Sequence, residues 1–300
     1  MKKIGYSLLT VLLIFISIFS FAGCGKNTDS ENGLVIYASL YPYYDFASKI
    51  GGNKVTVYNL VQPGEEPHEF EPTTKQMAEI NDNADILILN GAGLESWSSG
   101  LTQNVLSKTL VAATNAFKIE ITSEGVSQID PHIWLSIRNA KIIMNDIKER
   151  LQSIDNENAG YYETNYQKYA ILLDGLNSEY IKAVENFTST TFVVSHKAFG
   201  YISSEYSLTQ LALSGLDSEG EADPATIASV IDYINENNIK TVFYHEFINS
   251  AIAAAVVNET EASLSVLNTL EGLTIEQINA GEDYLSIMAQ NLIELKAALN

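Results

Sequence analysis

The chain has one cysteine, Cys24, in 300 residues, so no disulfide can form within it and its core must rest on packing. Six prolines and 18 glycines are too few for a fibrous or low-complexity chain. Basic residues are scarce as well: 17 Lys and Arg stand against 37 Asp and Glu, giving a formal net charge of −20. A surface that acidic repels phosphate backbones, which argues against nucleic acid as a partner, yet it is no obstacle to collecting cations. Catalytic signatures are missing too. His245-Glu246 does not open a His-Glu-x-x-His motif, because Asn249 stands where the second histidine belongs. Neither a phosphate-cradling Gly-x-x-x-x-Gly-Lys nor a Gly-x-Ser-x-Gly elbow occurs, and the expectation is a binder rather than an enzyme.

What is present begins with a leader. Lys2 and Lys3 precede an apolar run over 8–19, followed by Phe21-Ala22-Gly23-Cys24. The run is short for a membrane span and has the charge and length of a secretory signal. It looks like a bacterial lipoprotein signal, 1–23, after which Cys24 becomes the lipidated N-terminus. Residues 24–32 are polar and aperiodic, as suits a tether. This places the folded part at the extracytoplasmic face of a bacterial membrane, held by its lipid.

The rest is organised around 161–187, where Tyr162, Tyr166, Tyr169, Leu173, Leu176, Tyr180, Val184 and Phe187 recur at helical spacing with no proline. On either side, strand-like and helix-like patterns alternate, which is the signature of α/β units with largely parallel sheets. The expected architecture is therefore two α/β lobes with mostly parallel sheets flanked by helices, 33–156 and 189–300, bridged by one long rigid helix over 157–188. Strands are predicted at 34–40, 54–60, 85–90, 190–195, 211–213, 240–244 and 264–267, and helices at 43–50, 74–83, 137–154, 224–237, 252–258 and 284–299. Residues 110–130 carry only weak signals.

The four histidines sit at informative places. His68 lies in a proline-rich loop after a predicted strand, His132 precedes a helix, and His196 and His245 each follow a strand directly. Ligands gather at the carboxyl ends of strands in open α/β sheets, so these side chains can converge although they are distant in sequence. Three imidazoles with one oxygen ligand suit Zn²⁺ better than Mn²⁺. His245 and Glu246 are adjacent on an extended segment, so one of the two faces the cleft and the other points away.

At these residues the chain resembles a known family, the metal-binding lipoproteins of bacterial ABC importers for zinc and manganese, the cluster A-I solute-binding proteins. The resemblance runs through Tyr41-Pro42, Pro63-Gly-Glu-Glu-Pro-His68-Glu-Phe-Glu-Pro72, Ala84-Asp85, Asn90-Gly91, Leu94-Glu95, Asp130-Pro-His132-Ile-Trp-Leu135, Ser195-His196-Lys-Ala-Phe-Gly-Tyr201 and Tyr284-Leu-Ser-Ile-Met-Ala-Gln-Asn291. It implies metal held between two lobes, limited lobe motion, and delivery to an ABC permease by a monomer. The first three family ligands match His68, His132 and His196. The fourth is often an aspartate, and Asn268 stands at the matching position, so Glu246, or a water held by it, is expected to complete the shell, with Asn268 as the alternative. Ser136 also replaces a usual aspartate. The expected cargo is Zn²⁺, with a Mn²⁺ receptor and an adhesin-like lipoprotein as alternatives and a zinc-dependent extracellular hydrolase as the remotest.

Overall fold

The computed structural model describes residues 33–123, 126–216, 223–246 and 251–300. The leader 1–23, Cys24 and the rest of the tether lie outside them. Among the described residues, no helix is long and apolar enough to cross a membrane.

The first lobe runs β1 (Leu34–Ala38), α1 (Tyr41–Gly51), β2 (Val55–Asn59), α2 (Thr74–Asn83), β3 (Ile86–Leu89), the one-turn α3 (Gln103–Leu106) and β4 (Thr109–Val111). A hairpin, β5 (Glu120–Ser123) and β6 (Val126–Ile129), then leads to α4 (Ile137–Ile154). Helix α5 (Ala159–Val184) follows. The second lobe contains β7 (Thr191–Val194), α6 (Gly200–Tyr206), β8 (Thr209–Ala212), α7 (Pro224–Asn237), β9 (Thr241–Tyr244), α8 (Ala251–Asn258), β10 (Ser263–Val266), α9 (Ile275–Ala280) and α10 (Tyr284–Leu299).

Each lobe holds a four-stranded parallel sheet, ordered β2-β1-β3-β4 in the first and β10-β9-β7-β8 in the second. Every residue of β3 is buried, as a parallel strand covered on both faces requires. Ile86 and Ile88 face a core built with Phe46, Ile50 and Ile143, whereas Leu87 and Leu89 face Ile80 and Val105. In the second sheet Val193 and Val242 pack on Val230 and Ile234 of α7. Helix starts carry the expected caps: the Thr73 hydroxyl accepts the Gln76 amide and Asp223 accepts that of Thr226.

The two lobes are joined by α5, whose 26 residues span about 39 Å. Asn165 donates to the Ile50 carbonyl at the end of α1, and Tyr180 donates its hydroxyl to the Met288 carbonyl in α10. The helix ends at Val184, short of Phe187, because the carbonyls of Ala183 and Val184 take the amides of Asn186 and Phe187 in tight turns. A second tie runs through the start of α10, where the Tyr284 ring packs edge-on to Phe46 with centroids 4.8 Å apart and Lys49 bridges Asp45 and Asp283 at 2.7 and 2.6 Å. The main core is consequently one cluster, reaching from Ile36 and Ile143 through Leu173 and Tyr180 to Phe192 and Met288.

This packing separates neighbouring residues on α5. Leu173 is 1% exposed and Ile171 is 69% exposed. Leu173→Ala should cost about 2–5 kcal/mol in urea unfolding, and Ile171→Ala should stay within about 0.5 kcal/mol. Equal losses would contradict the buried face assigned to the helix.

Candidate metal centre

The second sheet reverses its strand order between β7 and β9, and the crevice outside the carboxyl ends of such strands is where α/β sheets bind ligands. His196 follows β7 and His245 follows β9 at that crevice, with the Ser195 amide bonded to the Phe243 carbonyl between them. From the first lobe, Asn90 at the end of β3 donates its side-chain amide to the Pro131 carbonyl and accepts the Tyr43 hydroxyl, which fixes the turn carrying His132. Glu95 holds Asn90 in turn, accepting the amides of Asn90 and Gly91. His68 comes from the proline-rich loop after β2, where its own amide is bonded by Glu66 Oε1.

The four ring systems meet at one carboxylate. Glu271 Oε1 lies 3.4 Å from His68 Nε2, 3.3 Å from His132 Nε2 and 3.6 Å from His196 Nε2. Its other oxygen, Oε2, lies 3.6 Å from His245 Nε2 and accepts the Thr269 hydroxyl at 3.0 Å. Donors around a tetrahedral Zn²⁺ stand about 3.3–3.4 Å apart, given bonds of about 2.0–2.1 Å, so the first three separations are close to the edges of such a shell. The Nε2 atoms of His132 and His196 are buried without a well-aligned hydrogen bond, and a cation at the shared point would satisfy both. His68, His132, His196 and Glu271 form one group able to hold a metal, and Glu66, His245 and Glu271 form another.

Orientation is fixed from behind. His132 Nδ1 donates to Asp130 Oδ1 at 2.8 Å, which turns Nε2 towards the centre. The Tyr201 hydroxyl donates to the Asp130 carbonyl. A Cβ on Gly200 would sit 2.5 Å from Asp130 Oδ2, so the Ser195–Tyr201 segment needs glycine there to pass the carboxylate. Burial pulls the His132 imidazolium down, but the Asp130 hydrogen bond and the Glu271 carboxylate outweigh it and hold the ring up to about 9. Burial lowers His196, and lowers His245 to about 4. It also pushes the Glu271 carboxyl up, yet the surrounding imidazoles, His245 foremost, keep it well below the usual carboxylate range. The two carboxylates of Glu271 and Asp130 match the charge of one dication, which a buried ion requires.

The fourth position departs from the expectation. Glu246 is exposed, and its Oε2 accepts the Gln277 amide at 2.9 Å and the Asn268 amide at 3.3 Å, so it stays outside the histidine group. Alternation along the extended chain turns His245 inward instead. Asn268 is buried but shapes a turn: its Oδ1 accepts the Leu270 amide at 2.7 Å, Leu270 adopts a left-handed φ of 59°, and Glu271 is thereby swung inward. The sequence signal was an acid three residues past Asn268 in the loop after β10. Ser136 acquires a role as well, capping α4 by accepting the Asn139 amide and donating to Glu205.

Beside His68 lies a cavity of about 200 Å³ lined by Gly93, Gln128, Pro131 and Leu216. A larger cavity, about 690 Å³ against α4 and α5, is lined by none of the histidines.

The zinc-uptake complex component A family, described as periplasmic, matches residues 36–298. The high-affinity zinc uptake system protein ZnuA of Bacillus subtilis is 32% identical over 299 residues, covering 93% of each chain. The zinc-binding lipoprotein AdcA of Streptococcus pneumoniae is 30% identical over 99% of this chain, which spans 61% of that relative's length. The crystal structure of the Zn(II)-bound ZnuA-like domain of the same AdcA superposes with a TM-score of 0.77 at 32% identity, covering 89% of this chain and 99% of the domain. The laminin-binding protein Lmb of Streptococcus agalactiae, described as bifunctional in adhesion and metal transport, superposes at 0.81 with 26% identity, covering 89% of this chain and 100% of Lmb. The chain therefore belongs to the zinc-uptake component A family of cluster A-I solute-binding proteins, a family of transport proteins and not of enzymes.

Proposed function

We propose that this protein captures Zn²⁺ outside the cytoplasmic membrane and delivers it to an ABC permease, with His68, His132, His196 and Glu271 as ligands. The observation that carries this reading is the convergence of three Nε2 atoms on one buried carboxylate oxygen at 3.3–3.6 Å. Three imidazoles and one carboxylate favour Zn²⁺ over Mn²⁺, which prefers a larger oxygen-rich octahedral shell. Family membership implies an associated importer permease and an extracytoplasmic, membrane-associated protein. The finer assignments are that Cys24 carries the lipid and that the protein acts as a monomer, with 1–23 as leader, 24–32 as tether and 157–188 as the segment between lobes 33–156 and 189–300. An adhesive role alongside transport is favoured by the likeness to laminin-binding proteins such as Lmb. A hydrolase is disfavoured, since four protein ligands leave no open position for an activated water.

Calorimetric titration of the metal-stripped protein should give one tight Zn²⁺ that equimolar Mn²⁺ does not displace; displacement by Mn²⁺ would overturn the assignment of cargo. Glu271→Gln should weaken zinc by roughly 100-fold or more, beyond the 10- to 100-fold typical of residues behind the ligands, while Glu246→Gln changes it less than about threefold. The reverse order would return the fourth position to Glu246.

Proton linkage offers a separate check. The raised pKa of His132, about 9, means that the metal-free protein carries an imidazolium there at neutral pH. A metal ligand must be neutral, so zinc uptake should release about one proton at neutral pH, with apparent affinity rising until the pH passes about 9. Binding heats in buffers of different ionisation enthalpy measure that proton. Asp130→Asn removes the partner that raises His132 and should reduce the release; unchanged release would separate Asp130 from the linkage.

A further inference from the structure

The fourth histidine is not needed for a four-ligand shell, and its surroundings are those of a ligand. His245 is 2% exposed, lies at the strand-order reversal of the second sheet, and points Nε2 at Glu271 Oε2 from 3.6 Å. Glu66, His245 and Glu271 each offer one ligand atom, and the three lie within 4.8 Å of one another. Glu66 is two positions before His68 and bonds the His68 amide through Oε1, and its Oε2 is shielded from solvent. The two oxygens of Glu271 thus differ in their neighbours, Oε1 facing the three imidazoles of the first site and Oε2 facing His245, with Glu66 adding a third ligand atom to that second group.

We propose that His245, Glu66 and Glu271 form a second position for a divalent first-row cation, alternative to the three-histidine site and sharing its carboxylate. The inference rests on the reading of the first site only in that Glu271 serves both. One nitrogen and two oxygens make a weaker and less selective donor set for Zn²⁺ than three nitrogens and one oxygen. Two dications on opposite oxygens of one buried carboxylate repel strongly, so the positions fill in alternation. An ion can pass between them without leaving Glu271. Glu66 lies on the half-buried loop two residues before His68, so the two positions share that loop as well as Glu271.

With only four histidines in the chain, nitrogen-detected NMR of the imidazoles reads each ligand directly. In the metal-stripped wild-type chain, the first equivalent of Zn²⁺ should shift Nε2 of His68, His132 and His196 and leave His245 unchanged, which tests the first site by itself. In His196→Gln, added Zn²⁺ should shift His245 Nε2 with an affinity reduced by roughly 100-fold or more from wild type, and Glu66→Gln in that background should abolish the His245 response. A His245 ring that stays silent in His196→Gln up to millimolar Zn²⁺ overturns the proposal while leaving the first site standing. A His245 shift together with the other three at the first equivalent of wild type also overturns it, because His245 would then belong to the first shell. His132→Gln provides the same readout should His196→Gln fail to give a dispersed amide spectrum.

Discussion

A carboxylate with no solvent exposure, surrounded by four imidazoles, is the constraint to which the rest of the molecule answers. Isolating an ionised Glu271 in a protein interior is costly unless positive charge or strong donors compensate. Part of the compensation is internal: the Thr269 hydroxyl bonds one oxygen, and the protonated His132 ring faces the other. The rest is what a dication supplies. Affinity then follows from burial, since a dication can take the place of the proton as the charge facing Glu271 in a site closed to solvent.

Holding five polar side chains to a common point demands that loops behave as though they were regular structure, and the hydrogen bonds show how this is done. Trp134 Nε1 donates to the Thr269 carbonyl at 2.7 Å, two residues from Glu271 in sequence, and the Tyr284 hydroxyl donates to the Trp134 carbonyl at 2.8 Å. The loop carrying Glu271 is thereby fastened to the segment carrying His132, although the two belong to different lobes. Asn291 completes the clamp by exchanging two hydrogen bonds with the Asn268 backbone. These partners are buried aromatics and amides, where a missing hydrogen bond costs more than a present one contributes. Rearrangement of the loops is therefore opposed even before metal arrives.

Legibility in the sequence followed the physics of each part. The two parallel sheets and the long helix were readable because burial on both faces writes continuous apolar runs, and Leu173, Leu176 and Tyr180 keep a helical period. His68, His132 and His196 were readable from their places beside strand ends and from the family motifs around them. Glu271 was not. Its selection depends on the Asx-type turn of Asn268 and the left-handed Leu270, a geometry that a sequence of ordinary loop residues does not announce. Period-two alternation shows that Glu246 and His245 diverge but not which of them faces in, and the structure places His245 inward and Glu246 outside the histidine group. The β5–β6 hairpin escaped notice because its Ser- and Thr-rich strands lack strong alternation, and its position is set by the Ile119 carbonyl accepting the Asp130 amide.

The same bonds bear on how an ion leaves. Separating the lobes as bodies would break the Trp134–Thr269 and Tyr284–Trp134 hydrogen bonds and the Lys49–Asp283 ion pair together, and would open a core that runs unbroken through α5 and α10. Each of the two neutral hydrogen bonds contributes about 1 kcal/mol, but exposing the aromatic contacts of Tyr284 and Phe46 adds far more apolar surface to the cost. The His68 loop is held by short-range hydrogen bonds, such as Gln62 to Glu65 and His68 to Glu66, and across the site by His68 Nε2 to Glu271 Oε1 at 3.4 Å. His68 also lines the cavity of about 200 Å³. Exchange of an ion by separation of the lobes is therefore opposed by the core that runs behind Glu271, His132 and His196.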